Sequence, residues 1–169
     1  MKNRTYLTDD ALPAALQTGR AGKYLTFALG NEGYGIAIGN VREIIGVMEI
    51  THLPRTPHYL NGVINLRGAV IPVVDLRLKL GMEKVNQTRE TCVIVVDIGD
   101  AGTGLIVDTV AEVVDITDDQ IDPPPAFGPG ADNGCILGMG KIKGRVHILL
   151  DIARTLNFTP AALAAAMAE

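Results

Sequence analysis

Short apolar segments rich in β-branched residues recur along this chain and end in glycine turns. Two of them, KYLTFALG at 23–30 and TCVIVVDIG at 91–99, have the composition of β-strands. A glycine-rich loop follows each one and leads into another apolar run, as in a hairpin where glycine supplies positive φ. The segment 61–76, NGVINLRGAVIPVVDL, predicts two further strands around a turn at Arg67 and Gly68. Without long helical periodicity, this pattern predicts small barrels or a sandwich.

Helix signals are few and lie at the ends of the strand-rich segments. Asp75 and Asp151 each follow an apolar run. We interpret both as N-caps of a short closing helix, because an Asp side chain can accept from the first free backbone N–H groups. The segment 160–169, PAALAAAMAE, can begin a helix at its proline. Residues 1–22 are predicted to be a flexible lead.

An internal repeat relates the two halves of the chain. RGAVIPVVDLRLKL, which starts at Arg67, aligns with KGRVHILLDIARTL, which starts at Lys143, at an offset of about 76 residues. A second alignment, at an offset of about 69 residues, places the segment 26–45 on the segment 95–114. The matched positions include the pairs Gly62/Gly138, Gly68/Gly144, Asp75/Asp151, Gly35/Gly104 and Glu43/Glu112. The repeat therefore predicts two small modules that share a core.

The composition excludes several classes of protein. Apolar residues make up 47% of the 169 residues and charged residues 20%, so the chain is not a disordered one. The net charge of -4 argues against a dedicated nucleic-acid-binding protein, which needs a basic surplus. The chain contains no serine, which excludes a serine nucleophile. We find no signal peptide and no apolar stretch near the roughly 20 residues of a membrane helix, so we expect a cytoplasmic protein.

The titratable residues do not form a recognisable catalytic or metal-binding motif. His52, His58 and His147 have no partners at metal-ligand spacing, and the two cysteines do not form a CxxC pair, so they are interpreted as reduced core thiols. The acidic segment 115–122 lacks the alternating ligands and the terminal Glu of a calcium loop. We therefore predict that the protein is not an enzyme and uses neither a metal nor a cofactor.

A surface that binds partner proteins is the remaining interpretation. Positions that recur in both halves are most simply scaffold requirements, whereas positions found in one half are better candidates for recognition. Lys143 replaces Arg67 in the repeat, which keeps the charge but loses the planar guanidinium. Phe127 lies in the proline-rich loop PPPAFGPG, which has no counterpart in the first half. An aromatic side chain on such a loop is a candidate hot spot, unless it folds back to cap its own barrel.

From about Lys23 to Phe158 the chain resembles CheW, the adaptor family of bacterial chemotaxis. The stretches that carry the resemblance are KYLTFALGNEGYGIAI, NVREIIGVMEITHLPRTPHYLNGVINLRGAVIPVVDLRLKLG and GLIVDTVAEVVDI. The resemblance implies an all-β fold of two tandem five-stranded SH3-like barrels with short closing helices. We expect these barrels over 23–86 and 87–158, between a lead over 1–22 and a helical tail over 159–169. Exchange of strands between the barrels stays open.

The resemblance also implies a non-enzymatic adaptor that couples the cytoplasmic tips of methyl-accepting chemoreceptors to the regulatory domain of the histidine kinase CheA. Receptor arrays would recruit it to the inner face of the membrane, without membrane insertion. Its receptor-binding residues would be Ile36, Ile38, Val41, Glu43, Gly62, Arg67 and Gly68, with Arg67 available for a receptor carboxylate. Its kinase-binding residues would be Val47, Met48, Pro123, Pro125 and Phe127. The family often has a basic residue where Asp122 stands, so an ion pair there would differ in sign.

Two other interpretations remain. A CheW-like module of a larger kinase would be accompanied by an ATP-binding segment or a phosphoacceptor, and this sequence has neither. A small β-barrel can instead bind nucleic acid, but that function needs a basic face with interleaved aromatic residues, and aromatic residues make up only 4% of this chain. Steep weakening of an RNA or DNA complex with rising salt would favour the nucleic-acid alternative.

Overall fold

The computed structural model describes residues 20–99, 101–124 and 135–156. Eleven strands, two short α-helices and two 3-10 helices lie in these ranges. The strands are β1 (Gly22–Leu29), β2 (Glu32–Ala37), β3 (Val41–Gly46), β4 (Leu60–Leu66), β5 (Ala69–Asp75), β6 (Cys92–Ile98), β7 (Ala101–Val107), β8 (Thr109–Ile116), β9 (Ile121–Asp122), β10 (Ile136–Ile142) and β11 (Arg145–Leu150). The α-helices are α1 (Leu76–Lys79) and α2 (Ile152–Leu156), and the 3-10 helices are Ile38–Asn40 and Asp118–Gln120.

The strands form two sheets, and each sheet takes strands from both halves of the sequence. The five-stranded sheet has the order β3-β6-β7-β5-β4, and the six-stranded sheet has the order β9-β10-β11-β2-β1-β8. The hairpin β1-β2 thus lies among strands of the second half, and the hairpin β6-β7 lies among strands of the first half. The segments 23–86 and 87–158 mark the sequence repeat, but because the hairpins are exchanged, neither segment builds a barrel by itself.

The two sheets repeat the same strand register. Val73 on β5 pairs in parallel with Gly104 on β7. The residues at the matching repeat positions, Leu149 on β11 and Gly35 on β2, also pair in parallel. All other strand pairs in the two sheets are antiparallel. The sequence repeat is therefore a repeat of the structure, which gives each position in one barrel a counterpart in the other.

Gly62 and Gly138 lie where a closing segment crosses each barrel. Thr51 and Val63 exchange backbone hydrogen bonds of 2.8 and 2.9 Å, and β9 pairs with β10 at the matching place in the other barrel. A Cβ atom on Gly62 would overlap the Thr51 carbonyl oxygen, and one on Gly138 would lie 2.8 Å from the Asp122 carbonyl oxygen. Both positions therefore need glycine so that two backbone segments can approach closely.

The predicted turn at Arg67 and Gly68 is confirmed. These two residues form the β4-β5 loop with φ values of 52° and 90°, the conformation of a type I′ hairpin turn. The side-chain oxygen of Asn65 accepts a 2.8 Å hydrogen bond from the backbone N–H of Gly68. Lys143 and Gly144 form the matching β10-β11 loop with φ values of 51° and 79°.

Both closing helices begin at the predicted aspartate caps. Asp75 accepts from the backbone N–H of Leu78 at 3.3 Å, and Asp151 accepts from the backbone N–H of Arg154 at 3.1 Å. Each helix is only about one turn long, so its stability comes from packing rather than from helix propensity. The first residue of α1 and the last residue of α2 are fully buried. The helices therefore pack between the two sheets and fill space in the core there.

Three clusters of buried apolar side chains hold the described part of the chain together. The largest lies in the seam between the sheets and takes residues from β1, β2, β6, β7 and both helices. In this seam the rings of Phe27 and Tyr34 stack with their centroids 5.8 Å apart. The second cluster fills the five-stranded barrel, and the third, smaller one lies in the six-stranded barrel around Tyr24, Ile142 and Leu149.

The predicted fold class, all-β with two SH3-like barrels and short closing helices, is confirmed. One sheet has six strands because the two-residue β9 adds a short edge to it. Most of the predicted lead over 1–22 and the whole predicted tail over 159–169 lie outside the described residues.

Candidate partner-binding site

Glu43 on β3 and Arg67 in the β4-β5 turn form an ion pair on the five-stranded barrel. The Arg67 side chain is 67% exposed and the Glu43 side chain is 26% exposed. The pair joins two edge strands of the sheet across the barrel opening. The resemblance implies that Arg67 is available for a receptor carboxylate, whereas its guanidinium already contacts a carboxylate of its own chain. An exposed pair contributes only about 0–1 kcal/mol, so a partner can compete for either group.

The other predicted receptor residues differ in their access to solvent. Ile36 is fully buried in the seam, so its side chain packs in the core and a partner cannot reach it. Ile38 and Val41 are half-buried and pack against the same cluster. Gly62 is buried beneath the closing segment, and its contribution to any partner site is therefore structural. The resemblance implied that Ile36 contacts the receptor directly, and its complete burial contradicts this prediction.

Two exposed apolar side chains of the five-stranded barrel were not predicted from the sequence. Ile44 follows Glu43 and is 43% exposed, and Val70 is 58% exposed. The sequence did contain a signal for the first of them. Because successive strand residues face opposite sides, one of the adjacent Ile44 and Ile45 has to face outward. By the same alternation, Ile44 points to the side of β3 opposite Glu43. We define the ion-pair face as Glu43, Arg67, Gly68 and Val70.

The six-stranded barrel carries a matching set of residues at the repeat positions. Glu112 and Lys143 form an ion pair of 2.8 Å. Val113 and Val146 are 50% and 54% exposed. The two barrels thus present the same arrangement, with Arg in one and Lys in the other. We define the repeat face as Glu112, Lys143, Gly144 and Val146, which match the residues of the ion-pair face.

The predicted kinase-binding residues are divided between two regions. Val47 is half-buried against the core of the five-stranded barrel, and the neighbouring Met48 is 38% exposed. Pro123 is exposed just after β9. Pro125 and Phe127 lie outside the described residues. Met48 and Pro123 are therefore the predicted kinase contacts that are exposed among the described residues.

The basic residues of β10, β11 and the loop between them already have partners within the chain. Lys141 pairs with Asp122 at 3.3 Å, and Lys143 pairs with Glu112 on β8. Arg145 donates to the Asn31 carbonyl oxygen at 3.1 Å. Their charges are thus divided among separate contacts. This arrangement does not favour the nucleic-acid alternative, which requires a continuous basic face.

A cluster of hydrogen bonds ties the two barrels together at Asp108, the residue between β7 and β8. Asp108 accepts from Arg77 Nε at 2.8 Å and from Arg77 Nη2 at 2.6 Å. It also accepts from the backbone N–H of Gly30 in the β1-β2 turn at 2.7 Å. The bonds from Arg77, and to a smaller extent the one from Gly30, lower the pKa of Asp108 against the opposing effect of burial. We call Arg77, Asp108 and Gly30 the clamp.

The described surfaces offer ion pairs and apolar side chains rather than a catalytic constellation. Among the described residues, no group of three or more His, Cys, Asp or Glu side chains could hold a metal ion. Cys92 and Cys135 are free thiols and are half-buried. Such surfaces can bind other proteins through shape and charge complementarity.

Comparison with known proteins places the chain in a family. The model of the CheW-like domain matches residues 23–159. The chain belongs to the CheW-like family. It is 39% identical to the chemotaxis protein CheW of Klebsiella aerogenes over 141 residues, which cover 83% of this chain and 85% of the relative. It is 35% identical to the chemotaxis protein CheW of Helicobacter pylori over 135 residues, covering 80% of this chain and 81% of the relative.

A solved structure of the same family supports the fold. The scaffolding protein TtCheW from Thermoanaerobacter tengcongensis aligns with a TM-score of 0.71 and 36% identity, covering 78% of this chain and 89% of that chain. The protein is therefore a CheW-family scaffold of chemotaxis. In the described part of the chain, no helix is long and apolar enough to span a membrane.

Proposed function

We propose that this protein is a non-enzymatic adaptor that couples chemoreceptor tips to the histidine kinase CheA. The observation that carries the proposal is the membership of residues 23–159 in the CheW-like family, together with the accessible ion-pair face. An adaptor of this kind works in the cytoplasm and reaches the inner face of the membrane through the receptors that it binds. It has to present separate surfaces to two proteins at once.

The receptor binds at the ion-pair face. A helical receptor tip presents apolar side chains along one stripe, and the exposed Val70 offers apolar area of the matching kind. Arg67 can exchange its contact with Glu43 for a receptor carboxylate, because a guanidinium has five N–H donors and one carboxylate does not occupy all of them. Gly68 supplies the positive φ of the turn beside Arg67, Gly62 lets the closing segment approach β4, and Ile38 and Val41 pack against the seam.

The kinase binds at Met48 and Val47, with the loop of Pro123, Pro125 and Phe127 as a second contact. Met48 is exposed, and its flexible thioether side chain adapts to an apolar partner surface. Val47 anchors this segment by packing against the core of the five-stranded barrel. The Met48 contact and the receptor site therefore share the five-stranded barrel, whereas the second kinase contact follows β9 of the six-stranded barrel.

Replacing Arg67 with Glu tests the receptor face. We expect Arg67→Glu to weaken binding to a receptor signalling fragment by about tenfold or more, because it places two carboxylates together and removes the donor. The matched control is Lys143→Glu in the repeat face, which makes the same kind of reversal and should leave receptor binding within about twofold. Co-sedimentation with receptor fragments, at constant salt, measures both.

A charge-swapped double variant separates binding from stability. Glu43→Arg combined with Arg67→Glu restores attraction within the chain, so the free energy of unfolding should recover while receptor binding stays weak. Recovery of binding by the double variant would mean that Arg67 serves the fold rather than the receptor. Equal effects of Arg67→Glu and Lys143→Glu would place the receptor on both faces or on neither.

Replacing Met48 with Glu tests the kinase face. We expect Met48→Glu to weaken binding to CheA by about tenfold, because it places a charge in an apolar contact, while receptor binding is retained. The control is Val85→Glu, since Val85 is 46% exposed and lies outside both faces. Isothermal titration with the kinase regulatory domain measures the effect. Unchanged affinity in Met48→Glu would remove this segment from the kinase site.

A further inference from the structure

His147 on β11 lies where the exchanged β1-β2 hairpin joins the six-stranded barrel. β11 pairs in parallel with β2, from His147 opposite Gly33 to Leu150 opposite Ile36. The imidazole lies on the backbone of Gly33, with Cδ2 and Nε2 at 2.6 and 2.8 Å from where a Cβ atom of that glycine would stand. The histidine ring is therefore part of the contact that holds the hairpin in this sheet.

The repeat has an apolar residue at the position of this histidine. Ile71 on β5 matches His147, and it is only 5% exposed in the cluster that fills the five-stranded barrel. The β5-β7 ladder, which attaches the exchanged β6-β7 hairpin, contains no histidine. Among the described strands, the parallel ladder between β2 and β11 thus differs from its counterpart by a group that titrates near neutral pH.

The environment of the His147 ring favours its neutral form. The Nδ1 atom is buried and makes no hydrogen bond to a described residue. A neutral imidazole carries one N–H donor, so its other nitrogen can stay without a proton. An imidazolium carries two N–H donors and a positive charge, and in this position it would bury an unpaired charged donor. Protonation is therefore unfavourable as long as the ring stays on Gly33.

The charged groups near the ring come from several strands. They are Glu32 on β2, Glu112 on β8, Lys141 on β10, Lys143 in the β10-β11 turn and Arg145 on β11. Both lysines are paired with carboxylates, one of which is that of Glu112. Glu32 and Arg145 line a cavity of about 300 Å³ together with the ring, and β1 contributes only uncharged residues to it.

These surroundings determine the direction in which pH acts. Burial lowers the pKa of His147, and the charge of Arg145 lowers it further, while the Arg145 backbone and Glu112 oppose this change. The unfolded chain, in which the ring has its usual pKa of about 6.5, therefore takes up the proton first as the pH falls. The contribution of the neutral ring to stability is present above about pH 6.5 and is lost as the pH falls through the folded value.

We propose that protonation of His147 loosens the pairing of β2 with β11, which makes the attachment of the β1-β2 hairpin sensitive to acid. A charged ring can leave its unfavourable position in two ways. Either β2 moves away from it, or the ring turns toward the cavity that it shares with Glu32. In both cases the ring no longer packs on Gly33.

The loosened ladder leads into the seam between the two sheets. Ile36, opposite Leu150 at the far end of the ladder, is fully buried in the seam cluster. Ile38 and Val41 follow it along the chain and pack against the same cluster. The effect of acid on β2 therefore extends from the barrel end at His147 to the segment that leads into β3.

Amide hydrogen exchange of the full chain, followed by NMR between about pH 7.5 and about pH 5.5, tests this proposal. Protection factors, corrected for the intrinsic exchange rate at each pH, should fall about three- to tenfold for residues 34–36 and 148–150. The reference is the β5-β7 ladder, where residues 104–106 should change by less than about twofold. An equal fall in both ladders would mean that acid destabilises the whole chain, and it would overturn the proposal.

Substitutions at position 147 remove the titrating ring. His147→Ile introduces the residue that the repeat has at Ile71, and His147→Gln keeps a polar side chain. In both variants the protection of β2 should become independent of pH within about 1.5-fold. His58→Gln is the matched control, because His58 is exposed in the loop before β4, and this variant should keep the full native response. Arg145→Gln should reduce the response, because the folded ring is then easier to protonate.

The location of the response along the chain keeps the test decisive. If neither variant at position 147 folds, the native chain, His58→Gln and Arg145→Gln still decide the matter. A β2 response that persists without His147, or protection of β2 that does not change with pH in the native chain, would reject the proposal. None of these measurements involves a receptor or a kinase, so their failure leaves the proposed adaptor function untouched.

Discussion

Two glycines near the ion-pair face have different physical roles at the scale of single residues. Gly68 needs its freedom for a φ of 90° in the turn, and a Cβ atom there would meet nothing within 4 Å. Gly62 also has positive φ, but a Cβ atom would overlap the Thr51 carbonyl oxygen and lie 2.7 Å from Ile50 Cγ2. Gly68 is thus constrained by its backbone, and Gly62 is constrained by its backbone and by a neighbour.

These roles predict different losses of stability. We expect Gly68→Ala to lower the free energy of unfolding by about 1 kcal/mol, from backbone strain alone. Gly62→Ala should lower it by about 3 kcal/mol, because the closing segment has to move as well. Gly39→Ala is the control, since no contact lies within 4 Å of a Cβ atom there and no positive φ is required. Urea unfolding measures all three, and equal losses for Gly62→Ala and Gly68→Ala would contradict the closing contact.

At the scale of elements, the strands were predictable but their pairing was not. The hairpin loops, the Asp75 cap and the two-residue turn depend on local chemistry, so the sequence alone indicated them. The repeat also identified equivalent strands. It could not decide which copy of each hairpin joins which barrel, because both choices make the same local contacts. The deciding feature is a connection length, which sequence patterns define poorly.

The connection between β7 and β8 is too short for a hairpin. β7 ends at Val107 and β8 begins at Thr109, so Asp108 is the one residue between them. A tight hairpin needs a loop of at least two residues, and β8 therefore continues into the other sheet. For the same reason the exposed Ile44 and the buried Ile36 could not be distinguished from the sequence, since their access depends on the partner strands of β2 and β3.

At the scale of the whole molecule, the clamp is a polar contact between the two barrels. The exchange of hairpins brings its three residues together. Arg77 follows a strand of the five-stranded sheet, Gly30 belongs to a hairpin of the six-stranded sheet, and Asp108 links the two sheets. The repeat has Gly39 and Ala153 where Asp108 and Arg77 would recur, so this clamp has no counterpart within the described ranges. The side chains of Arg77 and Asp108 are only 13% and 25% exposed, which limits screening by solvent.

The clamp predicts a stability difference that depends on pH. We expect Asp108→Asn to lower the free energy of unfolding at pH 7 by about 2 kcal/mol, because it removes a charge-assisted pair and leaves the mostly buried Arg77 without its carboxylate. The pKa of Asp108 is lower in the folded state than in the unfolded state, so its contribution is present above the unfolded value and is lost as the pH falls through the folded value. The gap between native and variant should therefore narrow below about pH 4.

Asp115→Asn is the control for that measurement, because the Lys23–Asp115 pair is exposed on both sides at 61% and 71% and should contribute almost nothing at any pH. Urea unfolding of the native chain and of both variants is measured across the acid range. Because the other carboxylates titrate alike in the three proteins, the comparison isolates the contribution of the Asp108 carboxylate to the free energy of unfolding. The difference in free energy of unfolding between the native chain and Asp108→Asn could instead stay constant down to the lowest pH. That result would assign the lost stability to altered packing around the new amide and would contradict a charged clamp between the barrels.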